Sequence, residues 1–122
     1  ATTVDAITAD GRFVGGMILP GLALMASSLA SNTAQLPQVA PGAVPALFGD
    51  NTNDAILSGV LSAQAGAIER AVAGHRASAC IVSGGAAPYI APALKVAHQV
   101  ADNIVLVGLQ AAAASTKGGT AC

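Results

Sequence analysis

The sequence predicts an α/β domain built on a mainly parallel sheet covered by helices. Three observations point there. ACIVSGG (79–85) and NIVLVG (103–108) are short, continuously apolar runs, the pattern of strands buried on both faces. Segments with helical apolar spacing separate the strand-like runs. Two alternating runs at the start, TTVDAIT (2–8) and RFVGGMIL (12–19), flank the turn dipeptide Asp10-Gly11 and read as a β-hairpin.

The elements follow in order. The second hairpin strand should stop at Pro20, which cannot donate to a ladder. Leu22, Met25, Ala26 and Leu29 recur at helical spacing, and Ser31, Asn32 and Thr33 end that helix. Residues 37–51, PQVAPGAVPALFGDN, form a loop rich in proline and glycine. A long helix spans roughly 53–73, with Thr52 or a neighbouring Asn as its N-cap. Ile56, Val60, Ile68 and Val72 fall on one face of it. Gly59 and Gly66, with Ser62 and Ala63 between them, make a stripe of small residues. Each Gly costs a helix about 1 kcal/mol relative to Ala, so the stripe suggests close packing against another element. A weaker helix is expected over 89–100, and a last one begins at LQAAAAS. STKGGTAC reads as a frayed tail. The predicted order is ββ, α, α, β, α, β, α.

Composition narrows the function classes. Net charge is −1 with five scattered Lys and Arg, which lacks the clustered basic face that nucleic acid requires. Pro20-Gly21 and Ser27-Ser28 interrupt the most apolar run, so no membrane span is expected. The first residues show no basic flank before an apolar run, so no signal peptide is read there. Cys80 and Cys122 share no metal-ligand spacing, and a reduced, cytoplasmic compartment fits. His75 and His98 are not spaced as ligands and read as surface or helix-end residues; Arg76 reads as a solvated charge.

Few residues stand out as chemistry. The Gly-Gly turn in SGGAAPY (83–89) follows a buried strand, where backbone N–H groups could meet a phosphate or a flat ring could approach; a plain tight turn is the alternative. Thr52 could contact a ligand or serve only as a cap. Asp50 and Asp54 suit a helix start. No nucleophile–base pair is visible.

A spaced series of motifs resembles one family. Gly15-Gly16-x-Ile18-x-Pro20-Gly21 with Leu24-Met25, then Thr33-Ala34-x-Leu36-Pro37, is similar to the type III pantothenate kinases, the Bvg accessory factor family. ATTVDA resembles the tail of that family's phosphate motif G-T-A-x-T-x-D. DNTNDAILSGVLSAQAGAIE resembles its T-x-x-A-x-x-x-G…G-x-I-E helix, VSGGAA its T-G-G-D-A adenosine motif, and NIVLVGL its closing strand. The order is kept up to about Leu109.

The resemblance implies an RNase H-like half of an actin-like ATPase, with residues 1–122 as a partial C-terminal domain whose first strand is incomplete. It implies pantothenate and ATP as substrates, Mg²⁺ and a monovalent cation (K⁺ or NH₄⁺), and a homodimer partnered with an N-terminal half. Thr52, Asn32 and Leu36 are the implied substrate-side residues, and Ala1, Thr3, Gly84 and Gly85 the implied nucleotide-side ones. Asp5 matches a motif position without an assigned role, and Ala86 stands where the family carries Asp. The catalytic base and the cation ligands fall outside these 122 residues, so no catalytic or metal residue is assigned, and the chain alone is expected not to turn over ATP. A non-catalytic assembly or regulatory half-domain is the alternative.

Overall fold

The computed structural model describes residues 1–32 and 46–102, without the side chains of Ser31 and Asn32. Strand β1 (Thr2–Ile7) pairs antiparallel with β2 (Phe13–Leu19), in the register Thr3↔Ile18 and Asp5↔Gly16. The connecting turn is closed by the Gly11 N–H donating to Thr8 O at 2.9 Å. Gly11 sits at φ 86°, a left-handed conformation that costs glycine nothing. The expected hairpin is therefore present.

Pro20-Gly21 turns the chain into α1 (Leu22–Asn32). Leu22 and Ala26 are buried and Met25 and Leu29 half-buried, as the 3.6 period requires, while Leu24 faces out. Helix α2 (Thr52–His75) is the longest element. Ile56, Val60, Leu61, Ala65 and Ile68 are buried along one face, and α2 touches α1, β1 and the segment after Val82. With Leu22, Cys80, Ile90 and Leu94 this face makes the core. Each such branched side chain taken from water contributes about 1.5–3 kcal/mol.

Arg76 terminates α2. It adopts φ 52° and ψ 45°, its N–H donates to Ala73 O, and the Ala77 N–H donates to Val72 O at 3.0 Å. That is a Schellman stop with arginine where glycine is usual. Arg76 is exposed, as expected of a solvated charge, but its backbone also ends the helix.

Three expectations need correction. The strand over 79–85 contracts to β3 (Ile81–Val82), and the helix over 89–100 does not form. Its place is taken by a four-residue α3 (Ala87–Ile90), a 3-10 turn (Ala91–Ala93) and an extended stretch ending in β4 (Gln99–Val100). Pro92 has no N–H for the helical ladder, and Leu94 leaves it at ψ 134°. The Lys95 N–H donates instead to Glu69 Oε1 on α2, at 2.8 Å. β4 then runs parallel to β3, in the register Ile81↔Gln99. The single sheet is the second correction: the described residues hold two separate two-stranded sheets, one antiparallel and one parallel. The mixed α/β character stands. The third concerns the glycine stripe. A Cβ built on Gly59 or Gly66 meets nothing within 4 Å, so no described element packs there. The strand over 103–108 and the last helix lie outside the described residues.

Candidate functional site

The start of α2 is held by its own side chains. Asn51 is the N-cap: its Oδ1 accepts the Asp54 N–H at 3.0 Å, and its Nδ2 donates to Asp54 Oδ2 at 2.9 Å and to Asp50 Oδ1 at 3.0 Å. Residue and acid three positions apart thus close on each other, a variant of the capping box. Of the two cap candidates in the sequence, the asparagine holds the position, and Thr52 becomes the first helical residue. Thr52 is exposed, and its hydroxyl makes no hydrogen bond among the described residues.

The loop before the cap is pressed against the helix. A Cβ on Gly49 would lie 2.5 Å from Ala55 N and from Asp54 C, so only glycine fits there. Ser58, buried on α2, donates its hydroxyl to Leu47 O. Between α1 and another face of α2 lies a shallow concavity of about 330 Å³ lined by Leu29, Thr52, Ala55, Ile56, Gly59 and Val60. Its floor is hydrocarbon, and the Thr52 hydroxyl is the side-chain polar group on its lining. Gly59 keeps the wall low: a methyl group there would occupy open space. Such an arrangement suits a small molecule with an apolar body and a hydroxyl or amide to be hydrogen-bonded.

The other implied site residues lie elsewhere. Asn32 is the last residue of α1, one turn beyond Leu29 of the concavity. Leu36 lies outside the described residues. Ala1 is exposed beside Gly21: a Cβ on that glycine would stand 3.5 Å from Ala1 N. Thr3 is exposed on the hairpin face opposite Val4, which packs on the core. Asp5 shares that outer face, and its carboxylate lies over Gly16: a Cβ there would fall 2.5 Å from Asp5 Oδ1. Gly84, at φ 103°, and Gly85 are both exposed in the turn between β3 and α3. A Cβ on either meets nothing within 4 Å, which leaves room for a flat group over the turn. None of the residues implied for the nucleotide side lines the concavity at Thr52.

The two histidines are occupied structurally. His75 Nε2 lies 3.2 Å from Ile7 O, and His98 Nδ1 lies 2.8 Å from Val96 O. Among the described residues no group of three or more His, Cys, Asp or Glu could hold a metal ion, and no helix is long and apolar enough to cross a membrane. The described residues by themselves therefore supply no metal site.

Sequence reading left Asn51 as one of two cap candidates and gave Leu29 and Gln64 no site role. Asn51 was legible in the N-x-x-D spacing with Asp54. Leu29 carried only a core signal, because two helices had to be brought together before it could line anything. Gln64 sits at four-residue spacing between Val60 and Ile68, a polar residue inside an apolar stripe, and it is fully buried.

Comparison with known proteins agrees with the motif series. A family model described as type III pantothenate kinase matches residues 1–74. Proteins named type III pantothenate kinase are similar over most of the chain. One from Herminiimonas arsenicoxydans is 60% identical, covering 95% of this chain and 48% of its own length. One from Janthinobacterium sp. (strain Marseille) is 58% identical over 93% of this chain, and one from Cupriavidus pinatubonensis 48% identical over 93%. In both of these the matched part is 46% of the relative. The chain thus spans about half the length of the curated relatives it matches. With a family model covering more than half of its residues, the chain belongs to the type III pantothenate kinase family.

Proposed function

We propose that the chain is the C-terminal, RNase H-like half of an actin-like kinase that transfers the γ-phosphoryl group of ATP to the primary hydroxyl of pantothenate, opening coenzyme A synthesis. The observation that carries this reading is the concavity at the start of α2, within a chain of this family. Pantothenate has a gem-dimethyl carbon flanked by hydroxyls and an amide. The hydrocarbon floor of Leu29, Ile56 and Val60 matches the methyl groups, and the unengaged Thr52 hydroxyl matches a polar group beside them. In this proposal Asn32 and Leu36 complete the substrate wall, reaching across from the second subunit of a homodimer.

On the nucleotide side, the Gly84-Gly85 turn receives the adenosine by close backbone approach, and Ala1 and Thr3 lie toward the phosphates. Ala86 offers no polar side chain there, so the turn contributes shape and backbone groups only. Phosphate charge is offset during the transfer by Mg²⁺ and a monovalent cation, whose ligands lie outside these residues. The base that deprotonates the hydroxyl and the main phosphate loop belong to the N-terminal half. The complete protein is placed in the cytoplasm.

The test is ADP formation by the complete protein. Pantothenate-dependent turnover is expected from it, and none from the 122-residue chain alone. Turnover by the chain alone would overturn the division of labour. No turnover by the complete, folded protein would favour the alternative, a non-catalytic assembly half-domain. That alternative draws on the exposed apolar residues Ile18 (82% exposed) and Phe48 (86%), which suit a covering partner.

A further inference from the structure

Gln64 is the most buried polar side chain among the described residues, with none of its surface exposed. It leaves α2 and reaches the junction between hairpin and first helix. Its Nε2 donates to Pro20 O at 2.7 Å and lies 3.4 Å from Met25 Sδ. Rotating the carboxamide would set two oxygens against each other at Pro20, so the donor must face that carbonyl. Its Oε1 is buried with no partner among the described residues. A buried acceptor left unmatched is a standing cost, and it offsets much of what the bond to Pro20 O contributes. The net stability that a glutamine contributes at this position is therefore small. What the amide does uniquely is fasten the end of β2 to the middle of α2.

That junction lies between the two substrate sides. Pro20 is followed by Gly21, which packs beside Ala1 at the start of β1, and Thr3 lies two residues further on. Thr52 is three turns up α2 from Gln64. We infer that Gln64 is a positioning residue: its Nε2–Pro20 O bond fixes the nucleotide-side hairpin relative to the pantothenate-side helix. This rests on the kinase reading proposed above. Gln64 is fully buried and offers no surface for either substrate to touch, so each should bind without it. The bond matters when both are bound and the hydroxyl must be aligned with the γ-phosphorus, where small misplacements cost large factors in rate.

The test compares Gln64→Met with the parent in the complete protein. Methionine fills the same volume and donates nothing. The expected result has three parts: kcat falls about tenfold, KM for pantothenate stays within about twofold, and Tm shifts by no more than roughly 2–4 °C, because removing the unmatched oxygen offsets leaving Pro20 O without its donor. Hydrogen exchange in a peptide spanning 15–25, measured without substrates, should quicken. Unchanged kcat would overturn the inference, as would a lowered Tm with kcat intact or a lost kcat with exchange at 15–25 unaltered. If the methionine variant does not fold, Gln64→Asn keeps the amide but shortens its reach, and the same outcomes decide. Absence of kinase activity in the parent would sink the functional reading instead, while the exchange result would still judge the tie.

Discussion

Thr52 offers the sharpest separation of a ligand-binding role from a structural one. It is the first residue of α2, exposed, and with Asn51 as the cap its hydroxyl makes no hydrogen bond among the described residues. Thr52→Ala removes one hydroxyl and one methyl group from a surface that no described side chain relies on. Stability should therefore change by no more than about 0.5 kcal/mol. If the hydroxyl bonds pantothenate, the loss is one neutral hydrogen bond, about 0.5–1.5 kcal/mol. That corresponds to roughly a 2- to 12-fold fall in kcat/KM for pantothenate. The neighbouring control is Asn51→Ala, which removes the cap at a cost of about 1 kcal/mol. In a protein of about twice this chain's length, Tm should drop by roughly 2–4 °C. Steady-state kinetics and thermal melts on the complete protein read both. The reasoning fails if Thr52→Ala melts early like a lost cap, or leaves pantothenate kinetics untouched.

Further predictions bear on the same helix and on the residue beneath it. Gly66→Ala should stabilise the protein by about 0.5–1 kcal/mol in urea unfolding, since the new methyl meets nothing and alanine is the better helix former; a loss instead would reveal a subunit packed on that face. Gly49→Ala should do the reverse, costing about 1–3 kcal/mol, because its Cβ would overlap the backbone of Asp54 and Ala55. A variant of full stability would contradict the packing described. Gln64→Met should lower kcat with little change in Tm.

Much of the architecture is legible in local chemistry. The hairpin follows from strand alternation around Asp10-Gly11, and α1 and α2 from apolar periodicity. Expectation and structure part where local signals are weak or conflict with long-range contacts. Residues 89–100 carry apolar residues at helical spacing, yet Pro92 breaks the ladder and Glu69, 26 residues away, captures the Lys95 N–H. No local pattern reports that bond. The glycine stripe suggests buried contact because glycine is costly in a helix; the described face is open instead. Thr52 is identifiable from its motif, but its freedom from capping depends on Asn51 winning the position. The motif residues Ala1, Thr3, Gly84 and Gly85 do not line the concavity, and the role proposed for them rests on the motifs alone.

Helix α2 touches α1, β1, α3 and the 3-10 turn, while the two strand pairs make no comparable contact with each other. It is the spine on which the remaining elements are hung, and this has a kinetic consequence. A helix that forms early and gathers its neighbours is the natural folding nucleus. Substitutions in its core, such as Leu61→Ala, should then act mainly by slowing folding, whereas Leu94→Ala, on the late-joining edge, should act mainly by hastening unfolding. Chevron plots of the two variants in the complete protein would separate these limbs. If Leu61→Ala changed only the unfolding limb, α2 would be a late arrival to the core it centres.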